Sequence, residues 1–243
     1  MSEDGRANAL APNSADYVAS AAKAVLGVVP FAGSLLVELA GTVIPNQRID
    51  RIARFAAELE QRLANIEREV IRTHLSNEDF TDLMEEGLRQ ASRSTSDDRR
   101  KHIASVIANS LKSEDISFVE SKHLLRLLDE INDIEVIWLR SSLDPTIGSD
   151  KDFRARHRGV LAPVGVSMGS SQAEIDKETL QDSYKEHLRQ LGLPRERYRT
   201  DSRTKMPEFD QSTGGLKVAG YEISPLGRLL LRQVGFADGV EPG

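Results

Sequence analysis

The chain has 243 residues, no cysteine, a formal net charge of −6 and a pI near 5.5. With 39% hydrophobic and 29% charged residues, it is too apolar for a disordered chain, too charged for a multi-span membrane protein, and long enough for one large or two small cores. The missing cysteine excludes disulfides, thiolate metal sites and cysteine nucleophiles, and the acidic balance excludes a surface that binds nucleic acid throughout while leaving a local basic patch open.

Residues 1–16 are polar and acidic and read as a disordered tail. They lack the basic start and apolar core of a secretory signal, so the expected location is cytoplasmic, with membrane association on activation. The apolar stretch VLGVVPFAGSLLVELAGTVIP follows at 25–45. Pro30 removes a backbone donor and Gly27, Gly33 and Gly41 weaken a helix, so the stretch predicts a hairpin over 17–45 built of two short helices, 17–29 and 34–44. Each piece rises only about 15 Å, half the thickness of a hydrocarbon core. Glu38 falls within the second piece, and a charge at bilayer depth is costly. Two readings follow: a hairpin packed on the next helix, or one released to a membrane or partner protein through Val25, Leu26, Val28, Val29, Pro30, Phe31, Leu35, Leu36, Leu39, Val43 and Ile44.

Beyond Pro45, Ile49, Ile52, Ala56, Leu59, Leu63, Ile66 and Val70 alternate steps of three and four, a seam on one face of a long helix over 48–74. Through Ile49, Ile52, Leu59, Leu63, Ile66 and Val70 this seam offers a surface for self-association. Ser76 reads as the N-cap of a helix with Phe80, Leu83, Met84, Leu88 and Ala91 on its apolar face. STSDDRRKHI opens another, with Ile103, Val106, Ile107 and Leu111. A further helical pattern runs through Leu124, Leu127, Leu128, Ile131 and Ile134 to Trp138. The fold class is mainly α: a helical bundle over 17–142 with short connections, followed by a small winged-helix-like α+β module.

From 143 to 171 the Pro, Gly and Ser content rises and helical periodicity stops, which reads as a linker. The module over 172–236 begins with a helix carrying Leu180, Tyr184, Leu188 and Leu191 and ending at Gly192. RERYRTDSRTKMPEFDQSTGG is polar and reads as a mobile stretch. LKVAGYEI alternates as a strand, and Ser224 with Pro225 opens a last helix before a tail at 237–243. The order of helix, basic loop, strand and helix, with YEISPLGRLLL, resembles part of a winged-helix domain. The apolar segment leading into NQRIDRIARFAAELEQRL likewise resembles the N-terminal part of abortive-infection alpha-type proteins of bacterial phage defence. That likeness implies a cytoplasmic bacterial protein that harms or arrests the infected host, and it brings no catalytic residues.

Chemistry-bearing motifs are missing from the sequence. There is no phosphate-binding loop and no Gly-x-Ser-x-Gly elbow, and the five histidines lack metal-ligand spacing, so neither cofactor nor metal is expected and the protein reads as a non-enzyme. The acids Asp129, Glu130, Asp133 and Glu135 read as the wet face of a helix. Two basic clusters remain. Arg154, Arg156 and Arg158 form one; Arg195, Arg197, Arg199, Arg203 and Lys205 surround Tyr198 in the other, a density suited to phosphate contact by an extended wing or to anionic lipid. The expected functions are a defence or toxicity protein acting through the apolar hairpin, or a DNA-binding regulator dimerising through its bundle.

Overall fold

The computed structural model describes residues 49–113, 115–143, 150–204, 206–210 and 214–236. The apolar hairpin over 17–45, both tails and Lys205 lie outside the described residues. Ten helices and one two-stranded antiparallel sheet make the described chain mainly helical, with its small α+β part near the C-terminus. Two compact units are present, one ending at Leu125 and the other beginning at Arg126.

In the first unit, α1 (Ile49–Leu63) packs on α3 (Glu78–Arg93) and α4 (Asp97–Ser110), and α2 (Arg68–Leu75) packs on α3. Ile52, Ala56, Leu59 and Leu63 of the seam are buried together with Phe55, so this apolar face is consumed inside the unit's own core. The seam does not continue as one helix over 48–74. The Ile66 N–H donates to the Leu63 carbonyl at 2.9 Å, and Glu67 turns extended at φ −58 and ψ 133, so the last turn tightens and the chain restarts at Arg68. Ile71 is buried while Ile66 and Val70 are half-buried.

The cap of α3 is Asn77 rather than Ser76. Its side-chain oxygen accepts from the Asp79 and Phe80 N–H groups at 2.9 and 3.2 Å, satisfying two of the first orphan donors. Ser96 caps α4 through the Arg99 N–H at 3.2 Å. Arg100, almost fully buried, donates to the Ser94 carbonyl at 2.7 Å and pairs with Asp97. The Arg100 guanidinium holds the Asp97 carboxyl below its ordinary range.

The division between the units falls within α5 (Phe118–Glu130), so the stretch following it groups with the C-terminal elements rather than with a bundle extending to 142. The reason is packing: α6 (Asp133–Ser141) contacts α8 (Arg158–Leu161), α9 (Gln172–Gln190) and α10 (Pro225–Gln233). The segment expected as a linker therefore carries α7 (Lys151–Arg156) and α8. The buried Gln181 side chain on α9 donates to the Val160 and Ala162 carbonyls at 3.2 and 3.0 Å, fixing the end of α8.

The expected helical run toward Trp138 breaks at Ile131 and Asn132, where a capping box starts α6. Glu135 belongs to that box and is buried, not on a wet face. One of its oxygens accepts from the Asn132 N–H at 2.7 Å; the other lies 2.7 Å from His187 Nδ1 on α9. Ser171 and Glu174 form the same device at the start of α9, where the Ser171 N–H and hydroxyl hold the Glu174 carboxyl below its usual range.

Helix α9 stops at Gly192, which sits at φ +70, a conformation glycine adopts without strain. Strand β1 (Pro194–Tyr198) follows and pairs antiparallel with β2 (Val218–Ile223). The strand pairing places Pro194 opposite Ile223, Arg195 opposite Glu222, Glu196 opposite Tyr221 and Arg197 opposite Gly220, with a bulge before Tyr198. Ser224 then caps α10, accepting from the Gly227 N–H at 3.0 Å while its hydroxyl donates to the Gly192 carbonyl at 2.7 Å. A Cβ at position 227 would stand 2.3 Å from the Leu193 carbonyl oxygen, so only glycine lets the first turn of α10 approach that backbone.

Candidate nucleic-acid interface

The described residues of the stretch expected to be mobile are hydrogen-bonded into an arm. Beyond the β1–β2 pairing, the Arg199 N–H donates to the Lys217 carbonyl, the Glu208 N–H to Arg199 and the Lys217 N–H to Glu208, each at 2.8 Å. Bridges Thr200–Pro207 and Phe209–Leu216 extend the ladder. The turn between them is fixed by Asp201, whose carboxylate accepts from the Thr204 and Arg203 N–H groups at 2.7 and 2.9 Å. Those bonds, Thr204 first, hold its carboxyl below the ordinary range.

Arg195, Arg197 and Tyr198 of the sequence-predicted cluster thus stand on β1 and Arg199 and Arg203 just beyond it, with differing commitments. Arg195 donates to Glu222 across the strands at 2.7 and 2.8 Å. Arg199 and Lys217 share Glu208 at 3.4 and 3.8 Å. Arg197 lies over Gly220, where a Cβ would sit 3.8 Å from its Nη2. Neither Arg197 nor Arg203 has a carboxylate within ion-pair distance among the described residues. The arm's ion pairs are exposed, and such pairs are weak enough to be exchanged for another anion. Tyr198 donates to Glu196 at 2.9 Å, and the neighbouring carboxylate raises its phenol pKa, keeping the ring neutral.

Of the apolar half of this surface, sequence reasoning named Tyr198 and missed Met206, Phe209, Val218 and Tyr221. Phe209 and Met206 are 72% and 67% exposed, and Tyr198, Val218 and Tyr221 are exposed as well. Large aromatic and sulfur side chains thus stand in water between the arginines, where a purely solubilising loop would carry polar ones. The signal was present as Met and Phe among the basic residues and as the alternation of LKVAGYEI, which was read as a strand; the pairing of that strand with PRERY was not. By contrast, α9 exposes the acids Glu174, Asp176, Asp182 and Glu186 against the single exposed base Lys177. Of the second basic cluster, Arg154 donates to the Ser141 carbonyl at 3.1 Å, while Arg156 and Arg158 are exposed on α7 and α8.

Among the described residues, no helix is long and apolar enough to cross a membrane, and no three His, Asp or Glu side chains converge as a metal-ligand set. No protein-family model, curated protein or solved structure matches the chain.

Proposed function

We propose that this is a non-enzymatic binding protein whose C-terminal unit docks on nucleic acid through the 194–223 arm. The observation that carries the reading is the arm's surface: exposed Tyr198, Phe209 and Tyr221 interleaved with Arg197, Arg199 and Arg203. Arginines track a phosphate backbone while aromatic rings stack on bases, a pairing suited above all to single strands. The element order of α9, β1, arm, β2 and α10 is that of the winged-helix resemblance, and because α9 exposes more acids than bases while the exposed arginines stand on the arm, contact is led by the arm. Anisotropy of a labelled single strand and its matching duplex, measured with the full chain between about 50 and about 200 mM salt, tests this. Salt-sensitive binding, tighter for the single strand, is expected; no retention of either at the lower salt would end the proposal.

A second reading makes the protein a defence or toxicity effector that acts through residues 17–45. It rests on the apolar run 25–44, whose single charge is Glu38, and on the abortive-infection resemblance. Here deletion of 17–45 abolishes vesicle leakage and host toxicity, while Arg197, Arg199 and Arg203 changed to Ala leave leakage intact. Equal toxicity without 17–45 removes this reading and leaves the first untouched.

A further inference from the structure

The C-terminal unit carries a cleft of about 460 Å³ at the foot of the arm, lined by α6, α9 and the two strands. Its size falls within the range of small-molecule sites, roughly 300–1,000 Å³. Leu188, buried, and the rings of Trp138 and Tyr221 supply its apolar lining. The Lys185 ammonium stands 5.0 Å from the Trp138 ring centroid, and the Arg189 guanidinium 4.7 Å from that of Tyr221.

Two of the polar groups here are incompletely used. Arg189 spends its Nη atoms on the Tyr221 hydroxyl and Glu186, leaving Nε–H. That atom and the Trp138 indole N–H are both buried and find no acceptor among the described residues. A buried donor without an acceptor is costly, and two on one cleft form an acceptor-poor site. Asp182, paired with Lys185 at 3.1 Å, is the one carboxylate on the lining. With Lys185 paired to Asp182 and Arg189 to Glu186, the groups left for a ligand are the two N–H donors, beside flat apolar walls.

We infer that this cleft binds a small organic anion, with a planar apolar body against Leu188 and the rings and a carboxylate or phosphate accepting from Trp138 and Arg189. The site shares Tyr221 with the arm but uses none of the arm's exposed arginines, and its test does not depend on the nucleic-acid reading.

Trp138 is the chain's single tryptophan, so its indole N–H gives one resolvable ¹H–¹⁵N cross-peak. The full chain is titrated with benzoate, phenyl phosphate and uncharged benzamide while that peak is followed. A saturable displacement by either anion, at concentrations where benzamide leaves the peak in place, is expected, and which anion binds more tightly identifies the acidic group. Arg189→Met should weaken that binding about tenfold or more, the loss of one charge-assisted hydrogen bond. The wild-type titration stands alone if the variant does not fold. No saturable displacement by either anion, an equal response to benzamide, or undiminished binding by a folded Arg189→Met variant would each overturn the inference.

Discussion

The two units treat their large apolar side chains in opposite ways. In the first, Phe55, Leu59, Leu83, Met84, Leu88, Ile103 and Ile107 are all essentially inaccessible, and Arg100, which enters the core, donates to Ser94 and pairs with Asp97. In the second, a core of Leu139, Leu188, Leu193, Leu230 and Leu231 is equally closed, yet the arm holds Met206, Phe209, Tyr198, Val218 and Tyr221 in water. Burial of one such side chain stabilises by about 1.5–3 kcal/mol, and five of the ten large apolar side chains exposed among the described residues gather on the arm, a concentration that folding does not require. The first unit reads as scaffold and the arm as display.

The contrast is broken most directly by exchanging like residues. Phe55→Ala should cost about 3–5 kcal/mol of stability, read by urea unfolding of the helical signal, while Phe209→Ala should stay within about 0.5 kcal/mol. Comparable losses would mean that Phe209 is structural and the arm is not a display surface. Gly227→Val tests how firmly the arm is seated, because the added side chain must push the Leu193 backbone aside. A loss of about 2–3 kcal/mol is expected, followed through Trp138 emission, which reports the second unit alone.

A smaller effect sharpens the picture of α9. Ser171→Ala should cost about 1 kcal/mol by removing the N-cap hydroxyl. The Glu174 carboxyl in that box is depressed in the folded state, so its contribution is fully present above the usual glutamate pKa and disappears as pH falls through the lower folded value. The difference between wild type and Ser171→Ala should therefore persist at neutral pH and shrink only in acid, in pH-dependent thermal melts. A difference that grows as pH falls would show the box is not formed.

Much of the helical layer was legible because burial follows local spacing. Ile52, Ala56, Leu59 and Leu63 recur at helical steps and do line a core, and Ser224 with Pro225 announces α10. What was not legible depends on partners distant in sequence. PRERY has one aromatic and no apolar alternation; it becomes a strand because Arg195 meets Glu222 and β2 offers its backbone, some 27 residues away. Glu135 sits among acids that suggest a wet face, and only the approach of α9, with His187 52 positions later, accounts for its burial. The end of α1 at Leu63 was hidden for the opposite reason, since the apolar steps run on through Ile66 and Val70 while the backbone does not. The basic residues of the arm and Tyr198 could be read from composition, whereas the exposure of Met206, Phe209, Val218 and Tyr221 beside them needed the strand geometry.

The central claim is that the arm is a surface for nucleic acid, and the variant Arg197→Ala/Arg203→Ala tests it most directly. It removes the two arginines without a carboxylate partner among the described residues, on a fold expected to be unchanged because both changes fall on exposed positions. Affinity of the full-length wild type and double variant for a labelled single strand is measured across salt. The account predicts a slope of log affinity against log salt flattened by about 1.4, roughly 0.7 for each lost phosphate contact on a single strand. An unchanged slope and affinity would contradict it.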